Sequence, residues 1–136
     1  MSKYDAPLAD LRFVLFDVLG AERELARLPA FASATRDVID AVLEEAARFT
    51  GQVLAPLNAS GDEEGCRLDN GAVTTPKGFK QAYTQFIDGG WTGLTAEPEY
   101  GGQGMPEVLG AAVKEMIDSA NLAWGMYPLL SHGASE

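Results

Sequence analysis

Sixteen residues from Gly89 to Gly104, GGWTGLTAEPEYGGQG, hold six glycines and one proline, and such a run invites a test for a phosphate cradle. Backbone N–H groups bind phosphate where a strand leads through a tight glycine turn into a helix, often with Lys-Ser/Thr after the glycines. Here helical periodicity precedes the run, no strand does, and no Lys-Ser/Thr pair follows. Nucleophilic catalysis meets a similar obstacle. His132 is the only histidine, and Ser131 beside it is a sequence neighbour, which is no evidence of a hydrogen-bonded pair. Cys66 is the only cysteine, which excludes an intrachain disulfide, and one His with one Cys gives no metal-ligand spacing. Asp62-Glu63-Glu64 is acidic, yet lacks the alternating oxygen ligands and central glycine of a calcium loop. From its residues alone the chain is a module without a self-sufficient active site, with no catalytic residue and no metal site to name.

The 10 basic and 20 acidic residues leave a net charge of −10, which argues against nucleic acid and against an anionic membrane surface. The start, MSKYDAPLADL, lacks the basic head and apolar stretch of a leader, and no apolar run reaches the length of a membrane span. A cytoplasmic protein is the expectation.

The elements around the glycine-rich run are helical. Leu8, Leu11, Leu15, Val18 and Leu19 follow helical spacing, with Asp5 placed to cap, Pro7 in the first turn and Gly20 as a stop. Phe13, Val14 and Phe16 make this helix apolar nearly all round, so it needs cover on both faces. A second helix is expected from Ser33 or Thr35 to Ala55, ended by Pro56, with Val38, Val42, Phe49 and Val53 in one stripe, widened by Ile39, Leu43, Ala46 and Leu54. Residues 57–75 then read as a connector, in which Asp69-Asn70-Gly71 can turn a small hairpin from Arg67 to Thr74. Thr75-Pro76 should open a third helix carrying Phe79, Ala82, Tyr83, Phe86 and Ile87. Pro106 should open a fourth, with Val108, Leu109, Ala112, Val113, Met116 and Ile117 on one face. A fifth segment, Leu122 to Leu130, is apolar and disturbed at Gly125 and Pro128. The fold class is all-α: an irregular bundle of about five helices with a long glycine-rich connecting loop, which Trp91, Leu94 and Tyr100 should anchor. By composition the late apolar residues, Trp124, Met126, Tyr127, Leu129 and Leu130, read as core.

Gly90, Gly93, Leu94, Pro98, Tyr100, Gly101, Gly102 and Gly104 stand in the order and spacing of a run typical of FAD-dependent acyl-CoA dehydrogenases. Lys114-Glu115-Met116 lies where that family often has Glu-Glu-Leu, and from Thr35 onward the chain resembles the family's N-terminal helical domain. Tyr4-Asp5-Ala6-Pro7, Leu11 to Leu15, Ala55 to Asn58 and Gly61 to Cys66 are similar to its longer subgroup, which has an N-terminal extension and includes the 3-methylmercaptopropionyl-CoA dehydrogenases.

The resemblance implies residues 1–34 as an extension helix and linker, and 35–136 as the helical domain, cut at its C-terminal end. It implies a reaction in which a glutamate base takes the acyl α-proton while the β-hydride passes to the flavin, giving a 2-enoyl-CoA. FAD and the catalytic base belong to the full-length enzyme, beyond Glu136, so the 136 residues alone are expected to be inactive and to carry no cofactor. Trp124, Met126, Tyr127 and Leu129 are the candidates for the wall of the acyl pocket. The implied partners are an acyl-CoA substrate, the remaining domains and further copies in a homo-oligomer. The alternative is a stand-alone helical interaction module.

Overall fold

A computed structural model describes residues 4–135; Met1 to Lys3 and Glu136, the outer ends of the two expected segments, lie outside it. The first helix, α1 (Leu8–Arg12), continues into a wider π-helical stretch, Phe13–Val18, and Gly20 at φ 60° stops it as expected. Asp5 does not cap it: Pro7 takes the cap position, and its carbonyl accepts the Leu11 N–H at 3.0 Å. A short α2 (Ala21–Leu25) follows where the sequence suggested only linker, burying Ala21 and Leu25.

Thr35 caps α3 (Arg36–Phe49), its hydroxyl accepting the Val38 N–H at 3.4 Å. The expected stop at Pro56 does not occur. The chain widens into a π turn, Thr50–Leu54, and runs on as α4 (Ala55–Glu64), so residues 57–64 are helix and not connector. A proline inside a helix has no N–H to give, and its ring crowds the carbonyl one turn back. A wide turn just before Pro56 relieves that crowding. The buried Thr50 hydroxyl fills the bulge by donating to the Ala46 carbonyl at 2.8 Å.

The hairpin forms as read: β1 (Arg67–Asp69) pairs antiparallel with β2 (Ala72–Thr74), Leu68 facing Val73. Asn70 and Gly71, at φ 47° and 80°, make the two-residue turn. Pro76 does not open the next helix. Its carbonyl accepts the Phe79 N–H in a turn, and α5 (Phe79–Asp88) begins after Gly78, at φ 90°. After the glycine-rich loop, α6 (Glu107–Ser135) carries non-helical angles at Asn121, φ −161° and ψ 87°. Pro128 and Gly125 lie inside its second half without ending it. With α3 and α4 as one path, the described residues form a mostly helical bundle of five paths and one two-stranded sheet. No described helix is long and apolar enough to cross a membrane.

One core runs from Leu11 to Trp124, with Leu43, Leu54, Leu109 and Met116 fully buried. Tyr4 ties the start of the chain to it, its hydroxyl donating to the Met116 carbonyl at 3.1 Å. The expected double cover of the first helix is absent among the described residues: Leu11 and Leu15 are buried, whereas Phe13 and Val18 are 60% and 62% exposed.

Arg12 fixes this helix to α3, donating to Asp40 at 2.5 Å and to Glu44 at 2.7 Å. The hydrogen bond from Arg12 is the main reason that the Asp40 carboxyl titrates below its ordinary range. A carboxylate with a lowered folded pKa stabilises above its unfolded value and loses that contribution as pH falls through the folded one. Urea midpoints of the native chain and Arg12→Leu should therefore differ by a constant gap above about pH 4 that closes below it. A gap that stays open in acid contradicts the pairing.

Candidate functional site

The glycine-rich loop is an ordered wall. Two 3-10 turns, Trp91–Gly93 and Pro98–Tyr100, are joined by backbone bonds from Gln103 N to Gly93 O at 2.7 Å and from Gly104 N to Ala96 O at 3.0 Å. The Met105 N–H reaches the Leu94 carbonyl at 2.9 Å, and the Gln103 side-chain amide donates to the Gly90 carbonyl at 2.8 Å. These bonds draw two strands of loop so close that a Cβ on Gly102 would stand 1.9 Å from the Ala96 oxygen. Only glycine fits there. Leu94 anchors the loop in the core and Trp91 stacks on Phe49 at 6.3 Å, as expected. Tyr100 does not anchor it. The Pro98–Tyr100 turn carries its side chain outward, 82% exposed, because the backbone bonds already close the loop.

The opposing wall is α6, and its direction is set at Asn121. This residue is buried, and both polar atoms of its side chain are used. Oδ1 accepts the Trp124 backbone N–H at 3.0 Å, capping the second half of the helix. Nδ2 donates to the Leu54 carbonyl at 3.2 Å, at the end of the π turn between α3 and α4. Trp124 then enters the core completely. Its indole N–H donates to the Phe79 carbonyl at 3.2 Å, and its ring meets Phe86 edge-on at 5.3 Å and Phe49 at 6.1 Å. Asn121 stands between two apolar helical stripes, which is the one local signal in the sequence for its cap role.

Between these walls runs a groove of about 580 Å³. Leu94, Ile117, Pro128 and Leu129 give it an apolar lining; Tyr100 stands on its loop side and His132 near the end of α6. Lys114 and Asp118, paired to each other, are on the same helix face, and Asp118 closes over Gly125, where a Cβ would meet its carboxylate at 2.5 Å.

The four expected wall residues do not share this surface. Leu129 lines the groove, Trp124 is in the core behind it, and Met126 is 59% exposed. Tyr127 lies on the other side, against the ring of Phe79, with its hydroxyl 3.8 Å from the Cys66 sulfur. Burial, then the Cys66 thiol, push the Tyr127 hydroxyl above its ordinary range. The separation follows from helical geometry: positions 124, 126, 127 and 129 point in different directions around one axis. No group of His, Cys, Asp or Glu able to hold a metal is present among the described residues.

Trp124 thus holds the second wall by its N–H as well as its bulk. Replacing it with Phe should cost about 1–3 kcal/mol, for the lost indole hydrogen bond to the Phe79 carbonyl and the smaller ring. Replacement with Ala should cost roughly 3–5 kcal/mol. Denaturant unfolding measures both, and a Phe variant as stable as the native chain would contradict a separate role for the indole N–H.

No family model matches the chain. Individual relatives do. A 3-methylmercaptopropionyl-CoA dehydrogenase of Ruegeria pomeroyi is 43% identical over 133 residues, 98% of this chain and 22% of its own length. A broad-specificity linear acyl-CoA dehydrogenase of Mycobacterium tuberculosis is 30% identical over 129 residues, 93% of this chain and 21% of its own. A butyryl-CoA dehydrogenase of Syntrophomonas wolfei is 34% identical over 111 residues, 74% of this chain and 18% of its own. The chain spans about a fifth of the length of these curated relatives. An ordered Gly89–Gly104 loop packed on the helix that follows it, with 43% identity to such an enzyme across nearly every residue, makes this chain a member of the acyl-CoA dehydrogenase family.

Proposed function

We propose that the chain is the N-terminal helical part of a longer flavin-dependent acyl-CoA dehydrogenase, and that its groove walls the acyl chain during α,β-dehydrogenation. One observation carries the reading: an apolar groove of about 580 Å³ lies between the loop that bears the family's residue pattern and the half-helix that follows Asn121. An acyl chain beside Leu94, Pro128 and Leu129 is shielded from water and held in one direction. Shielding strengthens every electrostatic interaction at the thioester end. Of the four candidates, Leu129 touches the acyl chain directly, and Trp124 supports it from behind.

The flavin, when bound, supplies the hydride acceptor. These residues do not form its site alone, because the groove offers one ammonium, Lys114, which is already paired with Asp118. FAD and the base that removes the α-proton belong to the remainder of the enzyme. The uncovered side of the first helix, with Phe13 and Val18, is the surface that the remainder or a second copy would cover.

The test compares the 136 residues with the complete enzyme. The chain alone should show no flavin absorbance, reduce no dye with any acyl-CoA, and associate in light scattering. The complete enzyme should carry flavin and reduce dye with acyl-CoA, and Leu129→Trp should raise KM by about tenfold or more by filling the groove. Dye reduction by the chain alone would overturn the placement of the chemistry. An unchanged KM would overturn the placement of the acyl chain.

A further inference from the structure

The two walls of the groove are held in different ways. The loop is closed by its own backbone bonds, and the first half of α6, 107–120, is held by the core and by Tyr4 on the Met116 carbonyl. The second half, 122–135, has an exposed outer side, with Leu122, Met126 and Leu130 at 59%, 59% and 79%. Its start is set at its buried end by Trp124 and Asn121, and Tyr127 packs farther along on the ring of Phe79.

Asn121 does more than a cap requires. A serine could accept the Trp124 N–H equally well. The amide adds a donor to Leu54, and thereby ties the half-helix to the π turn between α3 and α4. A buried amide is costly unless both of its ends are bonded, and here both are. The backbone at Asn121 is extended, so a small rotation there carries Pro128 and Leu129 toward or away from the loop.

We propose that Asn121 is a specificity-determining positioning residue: through Leu54 and Trp124 it sets the width of the groove, and so the length of acyl chain accepted. The inference rests on the acyl-groove reading above. Asn121 touches no substrate and acts through the angle of the half-helix that bears Leu129.

The test uses the complete enzyme and straight-chain acyl-CoAs from butyryl to dodecanoyl. Asn121→Ser keeps an acceptor for the Trp124 N–H but is too short to reach the Leu54 carbonyl. Asn121→Thr likewise keeps an acceptor for the Trp124 N–H without reach to the Leu54 carbonyl, and carries the same expectation if the serine variant does not fold. The ratio of kcat/KM for the longest to the shortest substrate should rise by about tenfold, through KM more than kcat. A profile parallel to the native one, with every chain length reduced alike, would overturn the inference and leave the acyl-groove reading intact. A native enzyme that oxidises no acyl-CoA would overturn both.

Discussion

Trp124 can lie wholly inside this bundle because both of its N–H groups are satisfied there, the backbone one by Asn121 and the indole one by the Phe79 carbonyl. A buried donor without a partner would cost more than most single contacts return. With both bonds made, one ring touches Phe49 on α3 and Tyr83 and Phe86 on α5. The same residue thus fastens the last helix to the two that precede the glycine-rich loop. Remove that fastening and the groove loses one of its sides.

The groove joins a stiff wall to a directed one. Gly102 permits a backbone approach closed to any other residue, so the loop's shape is a property of its main chain. The half-helix opposite owes its course to side-chain bonds at one end. An enzyme family that varies its acyl chain while keeping its chemistry has use for such a division. On the proposed acyl-groove reading, the chemistry would keep a fixed, dry reaction centre, while chain length would be read by how far one apolar wall stands from another.

The parts legible in the sequence are those with local causes. Asn70-Gly71 specifies its turn through backbone conformation, Thr35 its cap through a hydroxyl, and the stripes of α5 and α6 most of their buried faces through periodicity, whereas in α3 Ile39, Leu43 and Ala46 are buried and Val38 is exposed. Local rules fail where tertiary packing overrides them. Pro56 was expected to end a helix, but a π turn with Thr50 inside it carries the helix through. Pro76 was expected to begin one, but Gly78 takes that place. The loop was expected to lean on Tyr100, yet its own bonds leave that ring outside. The tie from Asn121 to Leu54 is hidden for the same reason: the two are 67 residues apart, and no window of sequence contains both. The likeness to the family was legible in eight spaced residues of the loop; which side of the last helix faces the groove was not.

On the proposed reading, an acyl chain lies between the loop and the 122–135 half of α6. Photolabelling the complete enzyme with an acyl-CoA that carries a diazirine at the end of its chain, followed by peptide mapping, tests it directly. Label is expected in the peptide containing Pro128 and Leu129 and in the loop around Leu94, removed by excess unlabelled substrate. Competed label on the hairpin near Val73, on Tyr127 or on the exposed side of the first helix at Phe13, with none in the groove, would contradict it.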